Sequence, residues 1–90
     1  MPSTMNPDSA TTLGLNALSF VVASGEAAGR FLDQSGLDPA TLRVRASESD
    51  LLVSVLDFIL SDERLLILFC GEEAIDVRTV HIARHVLAGA

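Results

Sequence analysis

Apolar residues are most concentrated between Asp50 and Cys70, in two segments that flank the polar tetrad at positions 61–64. Within the first segment, polar residues recur at intervals of four, three and four positions, at Asp50, Ser54, Asp57 and Ser61. These intervals put all four on one stripe of an α-helix and leave the apolar residues on its remaining surface. The pattern therefore predicts a helix that is buried except along this stripe.

The second segment, from Leu65 to Cys70, contains only apolar side chains. A helix without a polar face is expected to be enclosed on all sides or to lie in a subunit interface. Each segment is shorter than the roughly 20 apolar residues that span a membrane, and the charges between the segments would be costly in lipid. The pair is therefore predicted to form a helical hairpin in water.

Cap residues also predict where this hairpin begins and ends. Ser47, with Asp50 three residues later, imitates a capping box for the first of its two helices. Ser61 or Asp62 can cap the second, and Gly71 is expected to loosen its end.

The same signals predict four more helices around the hairpin. Residues 1–7 carry two prolines and no pattern, so they are predicted to be a disordered tail ahead of a single helical domain at residues 8–90. In chain order, the predicted bounds of the four helices are Asp8 or Ser9 to about Ala23, the cap Ser24 to the stop at Ser35 and Gly36, Asp38 and Pro39 to about Ala46, and the cap Asp76 followed by Val77 to Ala88 with Gly89 as the stop.

A shift of 38 residues aligns the two halves of the chain without a gap. The identical pairs in this register are Ser9 and Ser47, Leu13 and Leu51, Leu18 and Leu56, Phe20 and Phe58, Phe31 and Phe69, Asp38 and Asp76, and Thr41 and Thr79. The register indicates an internal repeat, although amphipathic helices also resemble one another by chance.

The sequence therefore predicts an all-α bundle of five or six short helices. If the repeat is structural, it consists of two three-helix units, residues 9–46 and 47–88, related by an approximate two-fold axis. Small residues at 27–29 of the second helix correspond to large ones at 65–67 of the fifth. Because large can face small, we expect the fifth helix to be the central element, with the second helix packed against it.

Composition narrows the classes of partner. Hydrophobic residues make up 49% of the 90 residues, which favours self-association, with a homodimer as one possible outcome. The net charge of −6 argues against nucleic acid as a partner, because nucleic-acid binding requires clustered cations. Neither composition nor motifs indicate a cofactor.

Cys70 is the single cysteine, so the chain has no internal disulfide, and a buried, unreactive thiol is expected. The apolar stretch from Leu13 to Ala23 is not expected to be a signal peptide, because no cation precedes Arg30. We therefore expect a cytoplasmic protein.

Two stretches carry a family resemblance, residues 31–43 (FLDQSGLDPATLR) and residues 55–66 (VLDFILSDERLL). They resemble the small uncharacterised alphaproteobacterial proteins grouped as domain of unknown function 3572, and the resemblance covers most of residues 13–88. It implies a compact, cytoplasmic helical protein and no catalytic residues. The Gly-Leu-Asp-Pro-like turn expected before the last helix keeps its Asp at Asp76 but has Val77 in place of the proline.

The predicted last helix carries the candidate chemistry. His81 and His85 are four residues apart, a spacing at which two imidazoles can share a metal ion, although Arg78 on the same face opposes a cation. We therefore expect no metal site and keep the pair only as weak candidate ligands. The favoured interpretation is a solvated cationic face near the helix C-terminus, formed by Arg78, His81, Arg84 and His85, which can serve as an interaction surface.

No other pattern is typical of a catalytic site. Asp57 and Asp62 are five residues apart, which places them on different faces of a helix, so they are not expected to act as a catalytic pair. The most favoured function is a small, non-catalytic protein-interaction or adaptor domain with an unidentified protein partner. A helix-lined binder of an apolar small molecule comes second, and a metal-dependent enzyme that uses His81 and His85 comes third.

Overall fold

Six α-helices make up the described part of the chain, residues 5–89, in a computed structural model. Their bounds are Pro7–Ala23 (α1), Gly25–Ser35 (α2), Pro39–Val44 (α3), Ser49–Leu60 (α4), Glu63–Glu73 (α5) and Val77–Ala88 (α6). The all-α bundle is therefore confirmed. None of the helices in this range is both long and apolar enough to cross a membrane.

Short polar side chains begin most of these helices. Asp38 accepts a hydrogen bond from the backbone N–H of Thr41 at 2.7 Å, and Asp76 accepts one from the N–H of Arg78 at 2.6 Å. Ser24 caps α2 in the same way. Each bond satisfies a backbone donor that the first turn of a helix leaves unpaired, so these helices begin where the sequence predicted.

Two predicted helix ends in the hairpin are wrong. The N-cap of α4 is Glu48 and not Ser47, because the N–H of Glu48 closes a turn onto the carbonyl of Arg45 and places Ser47 outside the helix. Gly71 does not loosen α5, which continues to Glu73.

The first helix begins earlier than the sequence predicted, at Pro7 instead of Asp8 or Ser9. Residues 1–4 of the predicted tail lie outside the described residues. Of the remainder, Met5 packs against the core, and the Asn6 side chain accepts a hydrogen bond from the N–H of Asp8 at 2.7 Å. Asn6 is therefore the cap of α1, and Pro7 occupies the first helical position, where its missing N–H costs nothing.

The core lies between α1, α4 and α6, which contact one another most extensively. Helix α4 is buried on every side except the stripe that the sequence predicted: Asp50, Ser54, Asp57 and Ser61 are exposed, whereas Leu52, Val55, Leu56 and Ile59 are fully enclosed.

At Gly14, helix α1 approaches α4 closely. A Cβ atom at Gly14 would lie 3.0 Å from the Cβ of Leu52 and 3.3 Å from the Cδ1 of Leu87 on α6. Gly14 and Leu52 are equivalent positions in the repeat, since they are 38 residues apart. An axis that exchanges the two units must therefore pass close to this contact.

The helix ends support the repeat. The bounds of α2 coincide with those of α5 after the 38-residue shift, and the starts of α3 and α6 coincide as well. Gly36 and Ala74, which end α2 and α5, also correspond, and they are the two left-handed residues in the described range. Chance similarity between amphipathic helices would not produce matching caps at both ends.

Two aromatic pairs link the units symmetrically. The rings of Phe20 and Phe69 have their centroids 5.4 Å apart, and so do the rings of Phe31 and Phe58. Exchange of the two units turns the first pair into the second, since Phe20 corresponds to Phe58 and Phe31 to Phe69. This is the relation that an approximate two-fold axis produces.

The expectation that α5 is central is wrong. Leu66, Phe69 and Cys70 of α5 are buried, but Ile67 and Leu68 are 59% and 54% exposed. Helices α2 and α5 do not pack extensively against each other, and Ala28 faces α1 and α3 instead. A large residue does face a small one at the axis, but the two residues are Leu52 and Gly14. A residue without a Cβ lets two helices approach more closely than alanine does.

Substitution of Gly14 by Ala tests the close approach. The Leu52 Cβ is fixed to the backbone of α4 and cannot rotate away, so overpacking should outweigh the better helix propensity of Ala. We expect the free energy of unfolding, measured by urea denaturation, to fall by about 1 to 2 kcal/mol. Gly29→Ala is the control: Gly29 lies inside α2 with no atom near its missing Cβ, so the variant should gain about 0.5 to 1 kcal/mol. Equal effects from the two variants would contradict the close contact at Gly14.

The caps provide a second comparison. Asp76→Ala removes a side-chain cap and should lower the free energy of unfolding by about 1 kcal/mol. Glu48→Ala is the matched control: Glu48 occupies the N-cap of α4 without a side-chain cap bond, and its exposed ion pair with Arg45 contributes little, so this variant should change stability little. Equal losses of stability in the two variants would show that the side-chain cap bond of Asp76 does not stabilise α6.

Candidate functional site

An apolar groove opens in the first unit between α1, α2 and α3. We call it the α1–α3 groove, and its volume is about 410 Å³. It is lined by Leu18, Ser19, Val21, Val22, Ala28, Phe31, Leu32, Pro39, Leu42, Arg43 and Ala46. Its floor consists of core residues such as Val21 and Phe31, while Val22 at the rim is 52% exposed.

Among the described residues, the corresponding place in the second unit is more enclosed, since Leu60 is half-buried where Val22 is exposed. There, Leu66 stands where the groove has Ala28, and Leu66 is buried. Asp57 and Arg84 stand where the groove has Ser19 and Ala46, and they form an ion pair with oxygen–nitrogen distances of 2.8 and 3.3 Å. The second unit therefore closes the same space with aliphatic carbon and a carboxylate–guanidinium pair.

Arg43 is the single charged side chain in the lining of the groove. Arg30, Arg45 and Arg84 each pair with a carboxylate, whereas Arg43 has no carboxylate within 4.0 Å among residues 5–89. Its guanidinium is therefore free to bind an anion at the edge of an apolar surface.

A second unpartnered surface lies on α5. Arg64, Ile67, Leu68, Gly71 and Glu72 share one side of the helix, and all five are exposed. We call this surface the α5 outer face. Of the two environments expected for α5, complete enclosure within the domain is wrong, because Ile67 and Leu68 face solvent.

The interaction surface predicted on α6 is only partly available. Arg78, His81 and His85 are exposed, as expected for a solvated face. Arg84 instead turns to α4, where Asp57 accepts its hydrogen bonds and raises the pKa of the guanidinium. Arg84 therefore has a structural partner, although its side chain is still 40% exposed, and the role of the four residues as an interaction surface stays a prediction.

The weak candidate ligands His81 and His85 gain no further ligand from the described residues. Within residues 5–89, no three His, Cys, Asp or Glu side chains lie close enough together to hold a metal ion. A metal bound there would need ligands from water or from another molecule.

The carboxylates Asp57 and Asp62 bind different arginines and do not face each other. Asp62 accepts a hydrogen bond from Arg30 at 3.0 Å and also caps α5. The Arg30 guanidinium lies 5.4 Å from the centre of the Phe58 ring, so it connects α2 to α4 and to the start of α5. Both aspartates thus have structural roles, and Asp62 is the cap that the sequence predicted.

Cys70 is buried in the core, and burial raises the pKa of its thiol. A nucleophilic cysteine requires a lowered pKa and access to solvent, so this environment favours a packing role.

Sequence reasoning missed the groove, although one signal for it was present. Ala28 occupies the position that Leu66 has in the second unit, a difference from which the sequence predicts a contact between α2 and α5. The same difference leaves a space beside α2 that no side chain of the first unit fills.

Comparison with known proteins identifies a family. The family model described as "Protein of unknown function (DUF3572)" matches residues 7–90. Neither a curated protein nor a solved structure matches the chain.

Two aspartates make the stability of the fold sensitive to acid. The guanidinium of Arg30 holds the pKa of Asp62 below its ordinary value of 3.8, and the backbone N–H of Thr41 does the same for Asp38. A lowered folded-state pKa means that the unfolded chain binds protons first, so this stabilisation is complete above about pH 4 and is lost as the pH falls through the lower folded-state values.

We therefore expect the melting temperature to fall as the pH drops below about 4. Asp62→Asn should flatten this dependence, and Arg30→Gln should flatten it in the same way because it removes the main hydrogen-bond donor to Asp62. Thermal unfolding between pH 2.5 and 6, followed by circular dichroism, measures the slope. An unchanged slope in both variants would contradict a role for this pair.

Proposed function

The chain belongs to the DUF3572 family of proteins of unknown function, and we propose that it is a non-catalytic protein-interaction domain that pairs with a second copy through the α5 outer face. The observation that carries the proposal is the exposure of two adjacent aliphatic side chains, Ile67 and Leu68. The core of the domain is enclosed without these two side chains, so their aliphatic surface contributes to burial only if a partner covers it.

The anatomy of this surface suits a helix pair. Removal of apolar area from water favours association by roughly 25 cal/mol per Å², so burial of Ile67 and Leu68 supplies a driving force. Gly71 lies beside them with nothing within 4 Å of its missing Cβ, which lets a second helix approach closely.

Charge complementarity supports a second copy as the partner. In an antiparallel pair of α5 helices with Leu68 near the two-fold axis, Arg64 lies opposite Glu72 of the partner subunit. The same contact recurs on the other side of the axis, since a two-fold interface uses one patch twice. Opposite charges at both ends favour this register over one in which like charges meet.

The non-catalytic part of the proposal is supported by the structural contacts of the side chains that could act as acids, bases or nucleophiles. Asp57 and Asp62 are held by arginines, and Cys70 is buried with a raised pKa. A cytoplasmic location belongs to the same proposal, and its support is the single buried thiol, which needs no oxidising compartment.

Light scattering at micromolar concentration tests the pairing. We expect twice the 9.5 kDa mass of one chain for the wild type and the mass of one chain for Leu68→Glu, because a charge at the centre of the interface would be desolvated without a partner. Val44→Glu is the matched control: Val44 is 83% exposed but lies on α3, so this variant should remain a dimer.

A charge exchange tests the register. Arg64→Glu should weaken the dimer, and the addition of Glu72→Arg should restore it. A wild-type mass near that of one chain would overturn the proposed pairing, and a weakened dimer without restoration would overturn the antiparallel arrangement.

A further inference from the structure

We propose that the α1–α3 groove binds an aliphatic monocarboxylate of the fatty-acid class, with the hydrocarbon chain along the apolar floor and the carboxylate on Arg43. This proposal does not depend on pairing through α5, because the groove and the α5 outer face have no residue in common.

The second unit shows which chemistry fits this space. Where the groove has Val22 and Ala28, the second unit has Leu60 and Leu66, which add aliphatic carbon at the corresponding positions. The second unit also has the ion pair of Asp57 and Arg84 at the positions that correspond to Ser19 and Ala46, with its shortest oxygen–nitrogen distance at 2.8 Å. The closed cleft thus combines aliphatic carbon with a carboxylate bound to a guanidinium.

The first unit repeats the helical frame but lacks these filling groups. Ala28 and Val22 are shorter than their counterparts, and Ser19 has no carboxylate. A space of about 410 Å³ remains, which is near the lower end of the roughly 300–1,000 Å³ range of small-molecule sites. A ligand that supplies both an alkyl chain and a carboxylate would complete the first unit in the way that side chains complete the second.

Arg43 provides the guanidinium that this arrangement needs. Ala46 stands where the second unit has Arg84, and Arg43, three residues earlier in the chain, also lines the groove. Since Arg43 has no carboxylate partner among residues 5–89, it can form a charge-assisted pair with a ligand anion. The chain carries a net charge of −6, so this local cation is the feature that makes an anionic head group favourable.

The lining favours an alkyl chain over a peptide. Apart from Arg43, Ser19 is the single side chain in the lining that can form a hydrogen bond. A bound peptide would bury several backbone amides against this surface without partners, which costs free energy at each amide. A hydrocarbon chain has no such groups.

The test compares dodecanoate with dodecanol, each below its aggregation concentration, by native mass spectrometry and titration calorimetry. We expect saturable one-to-one binding of dodecanoate to each wild-type chain. Arg43→Gln should weaken dodecanoate about tenfold and leave dodecanol unchanged, since it removes a hydrogen bond between charged groups. Arg78→Gln, which removes an exposed arginine on α6 outside the groove, is the control and should not change either affinity.

Ala28→Leu tests the position of the alkyl chain, because it gives the first unit the residue that fills the second. This variant should remain folded by circular dichroism and lose binding of both ligands by at least tenfold. Chemical-shift mapping on the wild type gives a second measurement that does not depend on the variant: dodecanoate should shift the amides of residues 18–22 and 39–46.

Three results would overturn the proposal. They are an absence of saturable dodecanoate binding, shifts confined to the α5 outer face, and unchanged binding by a folded Ala28→Leu variant.

Discussion

The contact between Gly14 and Leu52 is the constraint on which the rest of the bundle depends. Because Gly14 has no Cβ, α1 can lie directly against α4, and Leu87 of α6 closes over both. The two residues are equivalent in the repeat, so the units meet at this point. The aromatic pairs Phe20–Phe69 and Phe31–Phe58 then fall at matching distances on the two sides. A larger residue at position 14 would separate the two helices that cross at the axis.

The two units share one plan but differ in how completely they are filled. In the second unit, α6 has twelve residues and covers α1 and α4, and the pair of Asp57 and Arg84 holds it in place. In the first unit, α3 has six residues and makes few contacts with the other helices, and a space remains beside it where Ala28 is shorter than its counterpart Leu66. The filled unit supplies most of the enclosed core, whereas the open unit supplies the groove. The two surfaces proposed for binding therefore lie in different units, the groove in the first and the α5 outer face in the second.

The candidate sites were predicted to different degrees. The basic face of α6 was visible as a spacing along one helix, yet Arg84 could be removed from it only once Asp57 was known to lie beside it. For α5, the absence of a polar stripe left two alternatives, enclosure or an interface, and a count of apolar residues could not separate them. The groove was missed because its one signal in the sequence, Ala28 in place of Leu66, is compatible with a close helix contact as well as with an open space.

The sequence by itself determined the all-α class and most of the helix starts, because a cap such as Asp38 or Asp76 bonds to a backbone group two or three residues away, and it indicated a repeat that only the matching helix ends supported. Local hydrogen bonds of this kind can be inferred from local residues. Only the tertiary structure decided which helices meet at the axis and which faces stay open. Those outcomes depend on how closely two backbones approach, and the missing Cβ of Gly14 allowed a closer contact than the alanines of α2, which placed α4 in the centre and left α5 at the surface.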